Sequence, residues 1–222
     1  GLFHLANHAF FKALLFLGAG SVIHALSDEQ DIRRMGGLVR LLPFTYSIIL
    51  IGSLALAGFP FLSGFYSKDF ILELAFSHYS SKGFYVYTLG TISAFLTAFY
   101  SIRLLYVTFL AKPLGYKKHY EKVHEAPFFI AFPLVCLAVG SIGFGFFFKD
   151  AFIGYGSDFF AHSIFTNPSH FSLSDAEFIP WFFKQLPFIF ASCGLGGSFL
   201  SYAFYSKKLF RFKAFEKQGF YA

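Results

Sequence analysis

Five long apolar segments constrain the fold of this chain more than any other feature of its sequence. They span roughly residues 2–26, 43–76, 84–110, 127–148 and 180–205. Each is long enough for a helix that crosses the hydrocarbon core of a bilayer, which takes about 20 residues. The chain is 56% hydrophobic and only 14% charged, whereas soluble domains carry about 25% charged residues. We therefore predict an all-α fold, a polytopic membrane helix bundle with about five transmembrane helices.

The second apolar segment is too long for one straight crossing and contains the sequence Gly58-Phe59-Pro60. Proline has no backbone N–H and clashes with the preceding helical turn, so the helix should break at this point. Non-helical backbone at membrane depth is tolerated only where protein or a polar cavity covers it. The break at Gly58-Pro60 therefore predicts an internal site, because a lipid-facing position would leave backbone groups unsatisfied.

Basic residues lie almost entirely on one side of a topology with five crossings. The loops 27–42 and 111–126 and the tail after residue 205 contain 12 lysines and arginines, and the opposite side has only Lys82 and Lys149. By the positive-inside bias, the basic segments face the cytoplasm or matrix. The net charge of +6 is thus explained by topology, and no nucleic-acid partner is expected. The 12 residues are Arg33, Arg34, Arg40, Lys112, Lys117, Lys118, Lys122, Lys207, Lys208, Arg211, Lys213 and Lys217.

Three titratable residues, His4, His8 and Lys12, interrupt the first apolar segment. Their spacing of four residues places them on one helical face, each about 6 Å above the last. A lysine at a helix centre costs about 2.5–3.5 kcal/mol on insertion scales, so such residues usually have a function or a partner. Such a stripe is suited to passing a proton along the helix. The alternative is two hydrogen-bonded core histidines and a lysine that snorkels to the surface.

Lys68 and Asp69 follow the break in the second segment, and Glu73 comes one turn later. Adjacent residues point to different sides of a helix, so we expect Lys68 and Asp69 to pair with other helices and not with each other. Burial lowers the pKa of a lysine and a nearby carboxylate raises it, which suits a group that loads and releases a proton. The alternative is that Lys68 and Asp69 mark a helix end at the membrane interface.

The remaining charged residues favour structural roles. Arg103 is predicted to hold helix carbonyls or an acidic partner, and Lys184 to snorkel from the start of the last segment. The acidic run 28–31 is predicted to pair with Arg33 and Arg34 and not to bind a metal.

The two cysteines, Cys136 and Cys193, match no disulfide or metal-binding spacing. Because both lie inside apolar runs, we predict that they are small core residues. The sequence contains no phosphate-binding loop, nucleotide fingerprint, iron–sulfur cysteine set or haem motif. No redox centre is therefore predicted in this chain.

Three runs of residues resemble the subunit 5 family of the proton-pumping NADH:ubiquinone oxidoreductase, closest to the form in mitochondrial respiratory complex I. They are HAFFKALLF at 8–16, EQDIRRMGGL at 29–38 and IGSLALAGFPFLSGFYSKD at 51–69. They occur in the family's order and cover residues 1 to about 76. From 84 to 205 the resemblance depends on the number of helices and on Thr97-Ala98-Phe99-Tyr100-Ser101.

This resemblance implies an antiporter-like subunit at the far end of the membrane arm, in which an inverted repeat supplies two half-channels. His4, His8 and Lys12 resemble the hydrated axis of the second half-channel, Lys68 its exit lysine, and Asp69 the neighbour of that lysine. The implied function is proton translocation coupled to NADH oxidation by quinone, as part of an enzyme. The implied location is the mitochondrial inner membrane, with several crossings.

The resemblance also implies a division of the chain and a set of partners. Residues 1–205 resemble the second repeat and the helices after it, and 206–222 a basic tail on the matrix side. The family's first repeat, lateral helix and last anchor helix have no counterpart here, so the subunit is either split or represented by an excerpt. We expect a separate chain with the first repeat, other membrane-arm subunits and lipids as partners. This chain should bind no cofactor, with NADH, FMN, iron–sulfur clusters and ubiquinone on other subunits.

Two other functions stay open at this point. One is a subunit of a multi-subunit monovalent cation/proton antiporter, whose large subunit shares the fold but has no redox coupling. Residues 29–37 and the phenylalanine-rich composition, 37 of 222 residues, favour the respiratory family. The other is a structural remnant that no longer conducts protons, against which the joint presence of His8, Lys12 and Lys68 argues.

Overall fold

The computed structural model describes residues 1–113, 120, 123–154, 157, 159–161, 163 and 175–219, with side chains as far as Phe204 apart from that of Glu177. The regular structure of these residues is helical. The α-helices are α1 (Leu2–Ala25), α2 (Pro43–Ala57), α3 (Ser63–Ser77), α4 (Ser81–Leu105), α5 (Phe128–Ile153) and α6 (Trp181–Gly219). A π-helix, Tyr106–Leu110, continues α4, and the 3-10 turns are Ile32–Arg34, Leu38–Arg40 and Ala176–Phe178.

The helix lengths agree with five crossings. Within the described part of the chain, four helical stretches are long and apolar enough to span a membrane, namely α1, α4 with its π-helical extension, α5 and the part of α6 from Trp181 to Phe204. Helices α2 and α3 have 15 residues each, or about 22 Å at 1.5 Å per residue, and together supply a fifth, broken crossing. The predicted membrane helix bundle is confirmed, with its break at Gly58-Pro60.

The broken pair α2–α3 lies in the middle of the bundle. Helix α1 contacts α2, α3 and α5, and α4 contacts α2, α3 and α6. The break is therefore covered by protein on two sides, as non-helical backbone at membrane depth requires. The outer faces are apolar, and on α5 they include Phe129, Phe132 and Val139, which are exposed.

Contacts between helix ends show that α1 and α5 run in opposite directions, as the first and fourth of five alternating crossings do. At one end, the rings of His24 and His124 are 6.3 Å apart, which joins the end of α1 to the segment before α5. At the other end, the rings of Phe3 and Phe152 are 5.6 Å apart, which joins the start of α1 to the end of α5. We call the His24 end the inner end and the Phe3 end the outer end. Which end faces the matrix stays a prediction, and Lys117, Lys118 and Lys122 lie outside the described residues.

The start of α2 is capped by a residue that is distant in sequence. Leu42, which precedes the helix, provides no side-chain cap. The Glu125 carboxylate instead accepts hydrogen bonds from the backbone N–H groups of Phe44, at 2.8 Å, and Thr45, at 3.4 Å. It also accepts one from the Thr45 hydroxyl at 2.8 Å. A carboxylate at a helix N-terminus is favourable for the helix dipole, so Glu125 anchors the segment before α5 to the broken helix.

The acidic run after α1 pairs with arginines, as predicted. Arg33 contacts Asp31 at 2.6 Å, and Arg34 contacts Glu29 at 3.4 Å. The Arg33 side chain, with its backbone N–H, lowers the pKa of the Asp31 carboxyl to about 2. Among the described residues, no group of three or more potential ligands is placed to hold a metal ion.

Two other predictions need comment. Cys136 and Cys193 are exposed free cysteines, so the prediction that they are core residues is wrong. Apolar residues of a membrane bundle face lipid as well as protein, so an apolar run does not indicate which of its faces is buried.

The backbone of α6 stays helical to Gly219, so 206–219 continues the last helix. The placement of this segment on the matrix side stays a prediction.

Candidate functional site

The break between α2 and α3 begins with a Schellman motif. Gly58 adopts a left-handed conformation with φ of 82°, which favours glycine because a side chain would be strained there. The N–H of Gly58 donates to the carbonyl of Ala55, and that of Phe59 donates to the carbonyl of Leu54. These two bonds satisfy carbonyl groups that the end of a helix otherwise leaves unpaired.

Lys68 satisfies a third carbonyl at the same helix end. Its Nζ donates a hydrogen bond of 2.7 Å to the carbonyl oxygen of Ala57, the last residue of α2. The C-terminus of a helix carries a partial negative charge, which favours a cation at this position. The lysine of α3 thus reaches back across the break and closes the end of α2. Sequence analysis predicted that Lys68 is functional, but it did not identify this partner.

Small residues hold the break against its neighbours. Gly64 lies against the backbone carbonyl of Ala55, where an added Cβ would overlap the oxygen. The Ser63 hydroxyl donates to the carbonyl of Gly140 and accepts from the N–H of Gly145, both at 2.9 Å. These contacts fix the first turn of α3 on both α2 and α5. These contacts position the helix that carries Lys68 against the break.

The predicted stripe of titratable residues is present on α1. The rings of His4 and His8 are 5.8 Å apart, and all three residues of the stripe are half-buried. The Lys12 ammonium lies 5.5 Å from the ring centre of Phe16. The geometry is that of a chain of polar groups along one helix face. Its role in proton transfer stays a prediction.

Ser67 connects α1 to the broken helix. Its hydroxyl oxygen is 3.0 Å from Nδ1 of His4, and it is buried. Because Lys68 is the next residue, this bond links the stripe on α1 to the lysine at the break. Ser67 was not among the predicted site residues, although the spacing of four residues between Ser63 and Ser67, directly after the break, was a usable signal.

Asn7 is a second residue that sequence analysis missed. It is fully buried on α1, one residue before His8, and its amide donates to the carbonyl of Phe3 at 2.9 Å. Its Oδ1 atom has no hydrogen-bond partner among the described residues. A buried polar atom of this kind normally pairs with a protein group or a water. Asn7 thus adds a hydrogen-bond acceptor beside His4 and His8.

A cavity of about 280 Å³ opens beside Lys12 on the inner side of the break. It lies between α1, α2 and α4 and reaches the loop after α1. Apolar residues form most of its wall, and polar side chains are distributed along it. These polar residues are Lys12, Gln30, Ser53, Tyr100, Ser101 and Thr108. This cavity, which we call the inner cavity, connects the middle of the bundle to the inner end.

A larger cavity of about 460 Å³, the outer cavity, lies on the other side of the break. Asp69 lines it, whereas Lys68 points to the break, so the prediction that the two residues diverge is confirmed. Lys68 pairs with α2, but Asp69 forms no hydrogen bond or ion pair with a described residue, so the expectation that it pairs with another helix is wrong. Charged residues from three helices form much of its wall. They are Asp69 and Glu73 on α3, Lys149 and Asp150 on α5, and Lys184 on α6. The structure thus places Lys184 at a cavity, where the sequence predicted a lysine that snorkels.

Arg103 does not behave as the sequence predicted. It is exposed on α4 and forms no hydrogen bond or ion pair with any residue that the structure describes. The prediction that it holds helix carbonyls or an acidic side chain within this part of the chain is therefore wrong. The helical spacing of α4 indicates which residues share a face with Arg103. It does not indicate that this face points away from the rest of the bundle, as the structure shows.

The chain is similar to known proteins of one family. Residues 1–97 match the family described as NADH:quinone oxidoreductase/Mrp antiporter, TM. NADH-ubiquinone oxidoreductase chain 5 of Phytophthora infestans is 56% identical over 97% of this chain and 32% of its own length. The chain 5 proteins of Rhizopus stolonifer and Acanthamoeba castellanii are 58% and 54% identical over 88% and 91% of this chain, and over 30% of their own lengths.

The chain spans about a third of the length of these curated relatives. The similarity extends well beyond the three motifs that the sequence analysis quoted, through the helices that follow residue 76. The matched family model contains the stripe on α1, the break and Lys68 with Asp69. The chain therefore belongs to the NADH-ubiquinone oxidoreductase chain 5 family.

Proposed function

We propose that this chain is a proton-translocating part of the membrane arm of an NADH:ubiquinone oxidoreductase, in which proton transfer is coupled to NADH oxidation by quinone. One observation carries the proposal. Lys68 closes the broken helix between two cavities, and Ser67 beside it contacts the stripe of titratable residues on α1. A protonatable group in this position can exchange protons with one side of the membrane at a time.

The proposed path begins in the inner cavity, where Lys12 accepts a proton. It continues along α1 through His8 and His4, crosses to α3 at Ser67 and reaches Lys68. Asp69 then receives the proton on the side of the outer cavity. Moving a proton against 100 mV costs about 2.3 kcal/mol. The free energy of protonating a buried lysine changes by a similar amount when a carboxylate partner approaches or withdraws.

The same proposal places the chain in a larger assembly. The chain 5 names of the relatives support other subunits of that oxidoreductase as partners. We also propose contact with lipids, because the outer faces of the helices are apolar and exposed, and a location in the mitochondrial inner membrane. NADH, FMN, iron–sulfur clusters and ubiquinone would bind to other subunits. A monovalent cation/proton antiporter is the alternative, since the matched family includes such proteins, but the names of the relatives favour the oxidoreductase.

Substitution of Lys12 tests this function in the assembled complex. In Lys12→Ala the relay loses its charge, so proton flux should fall, and NADH–quinone turnover should fall with it if coupling is tight. Lys12→Arg should not restore flux, because a guanidinium keeps its proton at any accessible pH. Lys82→Arg, an exposed position at the outer end, is the matched control and should pump normally. A Lys12→Arg complex that pumps protons at the wild-type ratio to NADH would contradict the mechanism.

A further inference from the structure

The outer cavity holds charged groups that the proposed path does not use. Glu73 lies one turn after Asp69 on α3, and both line the cavity. Residues four apart on a helix share a face and lie about 6 Å apart along its axis. Helix α3 ends at Ser77, so Glu73 is closer than Asp69 to the outer end. The two carboxylates therefore follow one another along the cavity wall towards the outer end.

Neither carboxylate is tied up by another residue that the structure describes. Asp69 and Glu73 form no hydrogen bond or ion pair with any described side chain or backbone group. The cavity volume of about 460 Å³ is large compared with the roughly 30 Å³ that one water occupies in the liquid. Water molecules thus have room to join the two groups to each other and to the outside.

Lys184 is the cation that α6 contributes to the outer cavity. It lines the same cavity from the first turn of α6, and its ammonium interacts electrostatically with the Glu73 carboxylate. Lys149, the other lysine of the cavity, is occupied elsewhere, with its Nζ 3.9 Å from Asp150 and 6.0 Å from the ring centre of Tyr66. Asp150 is largely exposed at the rim. Lys184 is therefore placed to stabilise Glu73 in its ionised form.

We propose that Glu73 is the last proton carrier on the outward path, and that Lys184 is the positioning residue that promotes release of the proton from it. This proposal rests on the proposed function. Protonated Asp69 gives its proton to the Glu73 carboxylate through cavity water, and Asp69 returns to the carboxylate form. Glu73 then passes the proton to water at the outer end. Each step moves one proton and leaves one carboxylate, so no further reactant is needed.

Substitution of Glu73 in the assembled complex is the first test. Glu73→Gln keeps the size of the side chain but cannot ionise, so proton flux should fall about tenfold or more, as for the loss of a general acid–base group. Glu73→Asp should retain much of the flux, because the carboxylate remains. Asp28→Asn, at an exposed position in the loop after α1, is the control and should behave as wild type. The amount of assembled complex, measured for every variant, separates loss of conduction from loss of folding.

Chemical access is the second test and does not depend on the activity of a Glu73 variant. Gln185 lines the cavity, so in Gln185→Cys a membrane-impermeant cationic thiol reagent added from the outer side should react and block proton flux. Ile71→Cys, on the exposed apolar face of α3, is the matched control and should not react. The unsubstituted chain shows the background from Cys136 and Cys193.

The outcomes distinguish this proposal from the function on which it rests. If Glu73→Gln pumps like wild type, or if Gln185→Cys is inaccessible from the outer side, the outward role of Glu73 is overturned. Lys68→Ala measured in parallel then decides the larger question. Loss of pumping in Lys68→Ala would leave the proposed function intact, whereas normal pumping in both Lys68→Ala and Glu73→Gln would overturn the function as well.

Discussion

At the scale of single residues, three charged groups within the membrane segments, Lys12, Lys68 and Asp69, are tolerated because each meets a polar partner or a cavity. Lys68 donates to the Ala57 carbonyl, which the end of α2 would otherwise leave unpaired. Lys12 reaches the inner cavity and Asp69 the outer cavity. An insertion cost of about 3 kcal/mol for each such charge is thus reduced by contacts that also suit proton exchange.

Ser67 gives a prediction at this scale. Ser67→Ala removes the described side-chain hydrogen bond between His4 and α3 but leaves both lysines in place. A hydrogen bond is worth about 1 kcal/mol net, so we expect proton flux to fall about fivefold while assembly stays normal. Proton pumping in coupled membrane vesicles is the measurement. Ser47→Ala is the control, since Ser47 is exposed on α2 and bonds only within its own helix. Equal flux in the two variants would contradict the link between α1 and α3.

At the scale of elements, the broken helix depends on close backbone contacts that larger residues prevent. Gly64 packs on the Ala55 carbonyl, and Gly145 packs on the backbone of Ser63. The left-handed Gly58 turns the chain, and Pro60 prevents the helix from continuing. At the start of α2, Glu125 supplies the cap that the local sequence lacks. The break is therefore a specific structure and not a flexible gap in a helix.

Gly64 gives a prediction at the scale of elements. In Gly64→Ala the new Cβ overlaps the Ala55 carbonyl, and overpacking of this kind costs about 1–3 kcal/mol. We expect less assembled complex and a lower temperature of thermal dissociation on native gels. Gly20→Ala adds the same methyl group on α1, where nothing lies within 4 Å, and alanine favours a helix over glycine by about 1 kcal/mol. This control should be at least as stable as wild type, and a similar loss in both variants would contradict the importance of the break.

At the scale of the whole molecule, five antiparallel crossings bring the basic loops to one end. The described basic residues Arg33, Arg34, Arg40 and Lys112 belong to loops at the inner end, where the rings of His24 and His124 meet. The outer cavity opens at the opposite end. If the inner end faces the matrix, a proton that enters at the inner cavity leaves on the intermembrane side, which is the direction that the proposed function requires.

Protease access gives a prediction at this scale. In intact mitoplasts, a non-specific protease should leave the loop 111–126 and the residues after 205 uncut, because the predicted orientation places both on the matrix side. The segment 154–175 should be accessible from outside and serves as the positive control. Inside-out vesicles should show the reverse pattern. Cleavage of the loop 111–126 in intact mitoplasts would overturn the orientation and with it the direction of the proton path.

The sequence by itself determined the number of crossings, the position of the break and the set of charged residues at membrane depth. These properties depend on composition along the chain and on the backbone chemistry of proline and glycine. The stripe of His4, His8 and Lys12 was also predictable, because helical spacing alone places residues four apart on one face.

Only the tertiary structure decided which groups meet. Lys68 bonds to a carbonyl 11 residues earlier, His4 contacts a serine 63 residues later, and Glu73 shares a cavity with Lys184 of another helix. The exposed positions of Cys136, Cys193 and Arg103 were not predictable for the same reason. Periodicity shows which residues share a helix face, but the packing of distant helices determines whether that face meets a partner, a cavity or lipid.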